Sequence, residues 1–300
     1  MKLIKIVNNP IMPLIYVTDK LGLIEYSDLF YLNNFYRFKF GKKLNIKNPV
    51  SFNEKLQWLK IYDRNDLYSI MVDKHEVKKY VSEIIGEEFI IPTVGVYNTF
   101  DEINFDKLPN QFVIKCTHNS GGVIICHDKA NFNYKLAKKC ISKNLKTNFY
   151  KYGREWPYKN VKPRIIIEKL LKDDTTNQIN DYKFFCFNGK VKLFKVDFDR
   201  NTKHGANYYD LNCDLLPFGE EVCPPNFNKE IQIPSNIHSM IKKAELLAKN
   251  TKFVRIDFYN VNGKIYFGEI TFYPASGFGK FIPNDWDEKL GNMLNLGGII

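Results

Sequence analysis

The chain has 300 residues, 44% of them hydrophobic, with 24 Phe and 18 Tyr, so it can bury a large core and is neither disordered nor built from low-complexity tracts. A formal net charge of +11 points either to an anionic partner or to a lysine-rich proteome that charges every chain alike. The six cysteines, Cys116, Cys126, Cys140, Cys186, Cys213 and Cys223, contain no C-x-x-C pair and fit reduced cytosolic thiols better than a disulfide frame or a zinc site; no apolar run approaches a membrane span.

The N-terminal stretch MKLIKIVNNPIMPLIYVTDKLGLI is broken by Asn8-Asn9-Pro10 and by Pro13 and has no small-residue cleavage site, which argues against a secretory signal. It is apolar enough to lie on a membrane or on the body of the protein, and packing is the expectation. Residues 1 to about 85 read as helical. Ser51 and Glu54 have capping-box spacing before KLQWLKIY, and Asp73 and Glu76 repeat it before VKKYVSEII, where Val77, Tyr80, Val81, Ile84 and Ile85 form one apolar stripe and Gly86 is the stop. With Asp73 as the cap, Lys74 falls in the first helical turn. A cation there costs about 0.3–1 kcal/mol against the helix dipole, unless a bound anion reverses the sign.

From about 90 to 170 the pattern changes to short strands, IPTVGVY, QFVIKC, VIIC and RIIIEKLL, divided by one helical run, NYKLAKKCISKNLKTNFY. In FVIKC the alternation sets Lys115 on the face opposite Phe112, Ile114 and Cys116. An ammonium on that face must meet water or a negative group. The adjoining THNSGG loop, with Ser120, Gly121 and Gly122, offers hydroxyls and backbone amides able to wrap phosphate oxygens, although P-loop spacing is absent. Glu168 ends the apolar strand RIIIEKLL, where a carboxylate beside free backbone can read an adenine amino group or be an ordinary strand-end acid.

After 180 come two hairpins, DYKFFCFNGKVKLFKVDFD and KFVRIDFYNVNGKIYFGEITF, with a helix near IHSMIKKAELLAKN between them. A two-residue Asn262-Gly263 turn would set Asp257 and Glu269 on opposite faces. The expectation is instead a three-residue loop with Gly263 in a G1 bulge, which puts Arg255 opposite Glu269 and Asp257 diagonal to both. The same count at Asn188-Gly189 sets Asp181, Lys183, Lys195 and Asp197 on one face, with Asp181 opposite Lys195. Two carboxylates and a hydroxyl on one wall are hard oxygen ligands suited to Mg²⁺ on phosphates, and Arg255 can stabilise transferred phosphoryl charge. The competing reading is a surface salt bridge. The expected class is α+β or α/β with mainly antiparallel sheets.

In this order, Lys74, Lys115 and its loop, IIIEKLL, Asp181, VRIDF and FGEIT resemble an ATP-grasp enzyme. The segments SFNEKLQWLK, VDKHEVKKYV, VIKCTHNSGG, DYKFFCFNGKV and VRIDFY…FGEI resemble its TupA-like branch, associated with teichuronopeptide and other surface-polysaccharide synthesis, over about residues 45 to 285. The resemblance implies an ATP-grasp fold with a helical N-terminal region (1–88), a central lid subdomain (89–168) and a C-terminal subdomain (169–300). It implies ATP held by Lys74, Lys115, the Ser120-Gly121-Gly122 loop, Glu168, Lys169, Leu171, Asp181 and Lys183. Mg²⁺ would sit on Asp257 and Glu269, with Thr271 where Asn commonly completes the site, and Arg255 and Lys115 would serve the chemistry. The implied reaction joins a carboxylate, expected to be a uronic acid of a surface glycan or its precursor, to a small amine through an acyl phosphate. Arg200, His204, Ser276 and Gly277 are placed beside the substrate by their loops.

A glycosyltransferase using Asp197-x-Asp199 for a metal–sugar nucleotide is the main rival, against which stands the lack of early parallel strand–helix alternation. A nucleic-acid module is disfavoured, because the aromatics alternate into strand cores. The expected location is the cytoplasm, with the inner face of the membrane as a possible contact.

Overall fold

A computed structural model of the chain describes residues 9–173, 179–200 and 202–297. The first eight residues of the apolar N-terminal stretch lie outside it. From Met12 that stretch forms α1 (Met12–Lys20), followed by α2 (Asp28–Phe40), and together they bury Met12, Ile15, Tyr31, Leu32, Phe35 and Tyr36 around Phe278. The outer side of α1 keeps Leu14 and Val17 exposed, and Leu21 and Leu23 just beyond its end are exposed too. Ser51 and Glu54 form the reciprocal capping box of α3 (Phe52–Tyr62).

Asp73 closes α4 (Asp66–Val72) and opens α5 (Glu76–Ile85), its Oδ1 accepting from the backbone of His75 at 2.8 Å and Glu76 at 3.4 Å. The box expected there is only half made. Glu76 turns away to Arg164 at 2.8 Å, and Arg164 also binds Asp73. Lys74 therefore stands on a turn just ahead of α5, and its backbone amide donates to Thr117 at the end of the following sheet. Gly86 ends α5 with φ 115°.

The first sheet contains β1 (Thr93–Tyr97), β2 (Phe112–Cys116), β3 (Ile124–Cys126) and β4 (Ile165–Lys169) in the order β1-β4-β2-β3, all antiparallel. One face, with Phe112, Ile114, Cys116, Ile165 and Ile167, packs under α6 (Tyr134–Leu145). The single helical run expected from 133 to 150 is two helices, since Leu145 ends α6 and Asn148 caps α7 (Phe149–Gly153).

The second sheet has the order β10-β9-β5-β6-β7, built from β5 (Asp181–Phe187), β6 (Lys190–Phe198), β7 (Gly205–Tyr209), β9 (Phe253–Val261) and β10 (Lys264–Thr271). A short β8 (Gly219–Glu220) pairs with β11 (Phe281–Ile282), and α8 (Ile237–Leu247) and α9 (Trp286–Met293) complete this half. Phe184, Phe194, Val196, Ile256 and Phe258 sit in one core with α3, α5 and α8. Each such side chain contributes about 1.5–3 kcal/mol by leaving water.

Both hairpins depart from expectation in the same way. Each has a two-residue turn with positive φ at both positions, Asn188 49° and Gly189 78°, Asn262 53° and Gly263 76°, the type I′ geometry that Asn-Gly favours. The extra residue lies inside the strands, at Lys192 and at Gly268. Past these bulges Asp257 stands directly opposite Glu269 and Arg255 opposite Thr271. Asp181 stands opposite Asp197 and Lys183 opposite Lys195, so the expected pairings of Arg255 with Glu269 and of Asp181 with Lys195 are replaced. The expected sharing of one face survives because the bulge supplies the phase change that was assigned to the turn.

Candidate active site

Two charged walls approach one another. On the first, Lys115 of β2 and Lys78 of α5 grip the two oxygens of Glu168 on β4 at 2.5 Å each. Burial alone would push the Glu168 carboxyl up; Lys115 and Lys78 outweigh it and hold the group below the usual carboxylate range. Burial pulls the Lys74 ammonium down, partly opposed by the nearby Glu269 carboxylate and reinforced by Lys115. Lys74, Lys115 and Glu269 thus lie within one another's field, although they come from the α4–α5 junction, β2 and β10. The Lys74 ammonium donates to the Asn119 carbonyl.

The loop after β2 is rooted and open. His118 Nε2 lies 3.2 Å from the Thr147 carbonyl, and Asn119 donates to Asn144 at 3.2 Å. Ser120, Gly121 and Gly122 are exposed at its tip, both glycines with positive φ.

The second wall is denser. Arg255 clamps Asp257 with two bonds of 2.7 Å, then reaches Glu269 and Thr271 at 3.0 Å each. Lys183 on β5 lies 2.5 Å from both Asp181 and Asp257. Asp257 is 1% exposed. Its burial pushes its carboxyl up against the pull of Arg255 and Lys183. For Glu269 burial acts the same way, but Arg255, Lys183, Lys74 and Lys115 prevail and bring it down to about 2. Asp257, Glu269 and the Thr271 hydroxyl are hard oxygen donors on one face, and that donor set fits Mg²⁺. In this arrangement Arg255 and Lys183 occupy their lone pairs.

The wall continues onto β6 and its loops. Arg200 binds Asp181 at 2.5 Å and Asp197 at 3.0 Å, and His204 lies 3.5 Å from Asp197. The D-x-D pair does not converge. Asp197 faces Arg200 and Lys195, whereas Asp199, at φ 52°, pairs with Lys229 at 2.6 Å. Ser276 and Gly277 turn their carbonyls inward, to Lys60 at 2.8 Å and to Gln57 at 2.6 Å, so they anchor the loop beyond β10. Lys169 and Leu171 lie at and just beyond the end of β4, and Lys169 lines a cleft of about 870 Å³ with Lys78, Thr93, Lys264 and Tyr266.

Sequence reasoning passed over Lys78 and Lys60, and it placed Lys195 on the shared face without its partner Glu220. Lys78 had a usable signal, since it lies four residues after Lys74 and before the strand that carries its partner. The pairing of Lys195 with Glu220 at 3.2 Å needed the fold.

Among solved structures, the D-alanine–D-alanine ligase of Bacillus anthracis matches at 20% identity over 67% of this chain and 56% of that one, with a TM-score of 0.35. The Helicobacter pylori D-alanine–D-alanine ligase matches at 15% identity over 81% and 69%, with a TM-score of 0.42. The D-cycloserine synthetase DcsG matches at 13% identity over 69% and 63%, with a TM-score of 0.38. The chain spans just over half the length of the B. anthracis ligase. No curated protein sequence matches it. A family model described as TupA-like ATPgrasp covers residues 54–295, most of the chain, and the chain therefore belongs to the TupA-like ATP-grasp family and has the ATP-grasp fold.

Proposed function

We propose that the chain is an ATP-dependent ligase that joins a carboxylate to an amine through an acyl phosphate. Family membership supports ATP-dependent ligation. The observation that carries the site is the bulged hairpin: it sets Arg255, Asp257, Glu269 and Thr271 on one face, within the field of Lys74 and Lys115.

In this reading Lys74 and Lys115 neutralise phosphate oxygens of ATP from one side, and the Ser120–Gly122 tip closes over them. Glu168, Lys169 and the backbone to Leu171 border the adenine, and Asp181 faces the ribose, with Lys183 beside it. Asp257, Glu269 and Thr271 would hold Mg²⁺, which when bound screens the negative charge of the phosphates. Arg255 and Lys183 are released from these carboxylates as the ligands arrive, and Arg255 then stabilises charge on the transferred phosphoryl group. The donor carboxylate attacks the γ-phosphorus and ADP leaves. The amine then attacks the acyl carbon, phosphate leaves, and the amine gives up a proton.

We assign the acid to a uronic acid of a surface polysaccharide or its precursor and the amine to an amino acid or amino alcohol, a choice supported by the +11 charge and the TupA-like family. The same reading divides the chain into a helical region to residue 88, a lid to 168 and a metal-binding part beyond. It also places the enzyme in the cytoplasm, touching the membrane face through the exposed Leu14 of α1 and Leu21 and Leu23 just after it. The sugar-transfer alternative is weakened by the divergence of Asp197 and Asp199.

The test is purified chain with ATP and Mg²⁺, a panel of uronates and a panel of amines, followed by ADP release and product mass. ADP release that depends on both partners, with a product lighter than their sum by one water, is expected. ADP release indifferent to every pair, together with no heat of ATP binding, overturns the reading.

A further inference from the structure

Asp197 is the penultimate residue of β6, His204 immediately precedes β7, and Cys223 follows β8. Three separate segments supply them, yet one donor atom from each lies within 4.8 Å of the other two. Asp197 and Cys223 are buried, at 4% and 5% exposure, and the half-exposed His204 opens the group to solvent. Among the described residues, the buried Asp197 Oδ1 accepts no hydrogen bond, with the Lys195 ammonium 3.5 Å away, whereas Oδ2, the oxygen 3.5 Å from His204, accepts from Arg200 at 3.0 Å. A buried carboxylate oxygen without a donor is uncommon in a folded protein and calls for a ligand.

Carboxylate oxygen, imidazole nitrogen and thiol sulfur together suit a borderline divalent ion of the zinc class and suit Mg²⁺ poorly, since Mg²⁺ takes oxygen ligands. We propose that Asp197, His204 and Cys223 form a second divalent-metal site for a zinc-class ion, distinct from the Asp257–Glu269 pair. It does not depend on the ligase reading. Three protein ligands leave the fourth tetrahedral position to water or to a substrate group. As the sulfur–metal bond forms, the thiol passes its proton to solvent and the imidazole binds as the neutral ring. Burial pushes the Cys223 thiol up to about 11, so the metal-free protein holds it as an inert thiol.

The cations around Asp197 oppose metal binding, but each has a second carboxylate. Lys195 pairs with Glu220, Lys183 with Asp181 and Asp257, and Arg200 with Asp181. Arg200 is the most exposed of the three and is the group the metal displaces from Asp197. Occupancy of the site therefore leaves Arg200 on Asp181 alone. The spacing 197–204–223 carries no motif, which is why the cysteine pattern alone argued against zinc.

Cobalt titration tests this. The metal-free full chain, with Mg²⁺ in excess to occupy sites built from oxygen ligands, is titrated with Co²⁺ and followed by absorption. One equivalent is expected to raise a sulfur-to-cobalt charge-transfer band that Zn²⁺ then bleaches. Cys223→Ser should abolish the band and His204→Ala should weaken Co²⁺ binding at least tenfold, while Cys213→Ser should leave both unchanged. Because Cys223→Ser removes a buried group and could unfold the chain, circular dichroism accompanies it, and the half-exposed His204 provides the second variant. Absence of the band in the parent chain, or its persistence in folded Cys223→Ser, overturns the proposal, as does its survival at full affinity in His204→Ala.

Discussion

Asp257 on β9 and Glu269 on β10 are direct cross-strand partners, and they are so because Gly268 is left out of the ladder. A Cβ at Gly268 would stand 3.1 Å from the Asp257 carbonyl and 3.2 Å from the Tyr259 ring. The position thus accepts the close approach that a bulge requires only while it has no side chain. Gly268→Val is expected to cost about 1–3 kcal/mol through overpacking and to weaken Mg²⁺–ATP binding about tenfold or more. Deleting Gly268 removes the extra residue and keeps 257 opposite 269, so that variant should bind Mg²⁺–ATP more tightly than Gly268→Val. Calorimetry on both variants checks the order, and the reverse order would contradict the register account.

The metal wall makes a second prediction. Thr271 offers a hydroxyl where Asn would offer an amide oxygen, so Thr271→Asn should keep ADP release near the parent level. Thr271→Val, which keeps the shape and deletes the oxygen, should raise the Mg²⁺ concentration needed for half-maximal ADP release. Asp257→Asn is expected to be far worse. It removes one buried partner of Arg255 and of Lys183, which keep Glu269 and Asp181, so the cost is expected to stay below the about 3–5 kcal/mol of a buried charge left with no partner. Loss of stability together with loss of ADP release is the expected pair of results. A stable, active Asp257→Asn protein would remove the carboxylate from the site.

The lysines of the opposite wall separate by role. Lys74→Met and Lys115→Met each delete a charge proposed to meet phosphate, a bond worth about 1.5–3 kcal/mol, so each should weaken ATP binding about 10- to 100-fold. Lys78→Met removes a bond to Glu168 while Lys115 remains on the other oxygen. It should lower the unfolding temperature and change ATP affinity less than the other two. Equal losses from all three variants would make Lys78 a ligand contact in its own right.

These residues differ in how far the sequence could announce them. The Ser51–Glu54 box and the Gly86 stop are local, set by hydrogen bonds within one turn, and they stand where the pattern placed them. The shared face of Asp257 and Glu269 was legible too, but by the wrong device, since Asn262-Gly263 closes as a two-residue turn. Gly268 could have been suspected, because an isolated glycine within a strand pattern signals a bulge. Lys192, the extra residue of the other hairpin, gives no such signal. Nothing local could place Lys183 beside Asp257, because that contact depends on β5 lying between β6 and β9, a pairing over more than 70 residues. The same holds for Lys60, whose burial is decided by Gly153 and Ser276.

Lys60 supplies the pH prediction. Its ammonium is fully buried on α3 and donates to the carbonyls of Gly153 at 2.7 Å and Ser276 at 2.8 Å and to Gln57 at 3.0 Å. Burial brings it down to about 7 against the opposing pull of Glu155. Below that pH both the folded and the unfolded chain hold the proton, and the folded state carries a constant penalty. Between about 7 and the ordinary lysine value near 10.4, the unfolded chain keeps a proton that the folded chain has shed. Stability from this group therefore rises with pH across that window, by at most about 1.4 kcal/mol per pH unit. Lys60→Met removes the titration. Urea unfolding of parent and variant from about pH 7 to about pH 10 should show the difference moving in favour of the parent as pH increases. A difference that stays flat, or moves towards the variant, would mean that the buried ammonium keeps its proton throughout and that Glu155 holds it as a permanent ion pair.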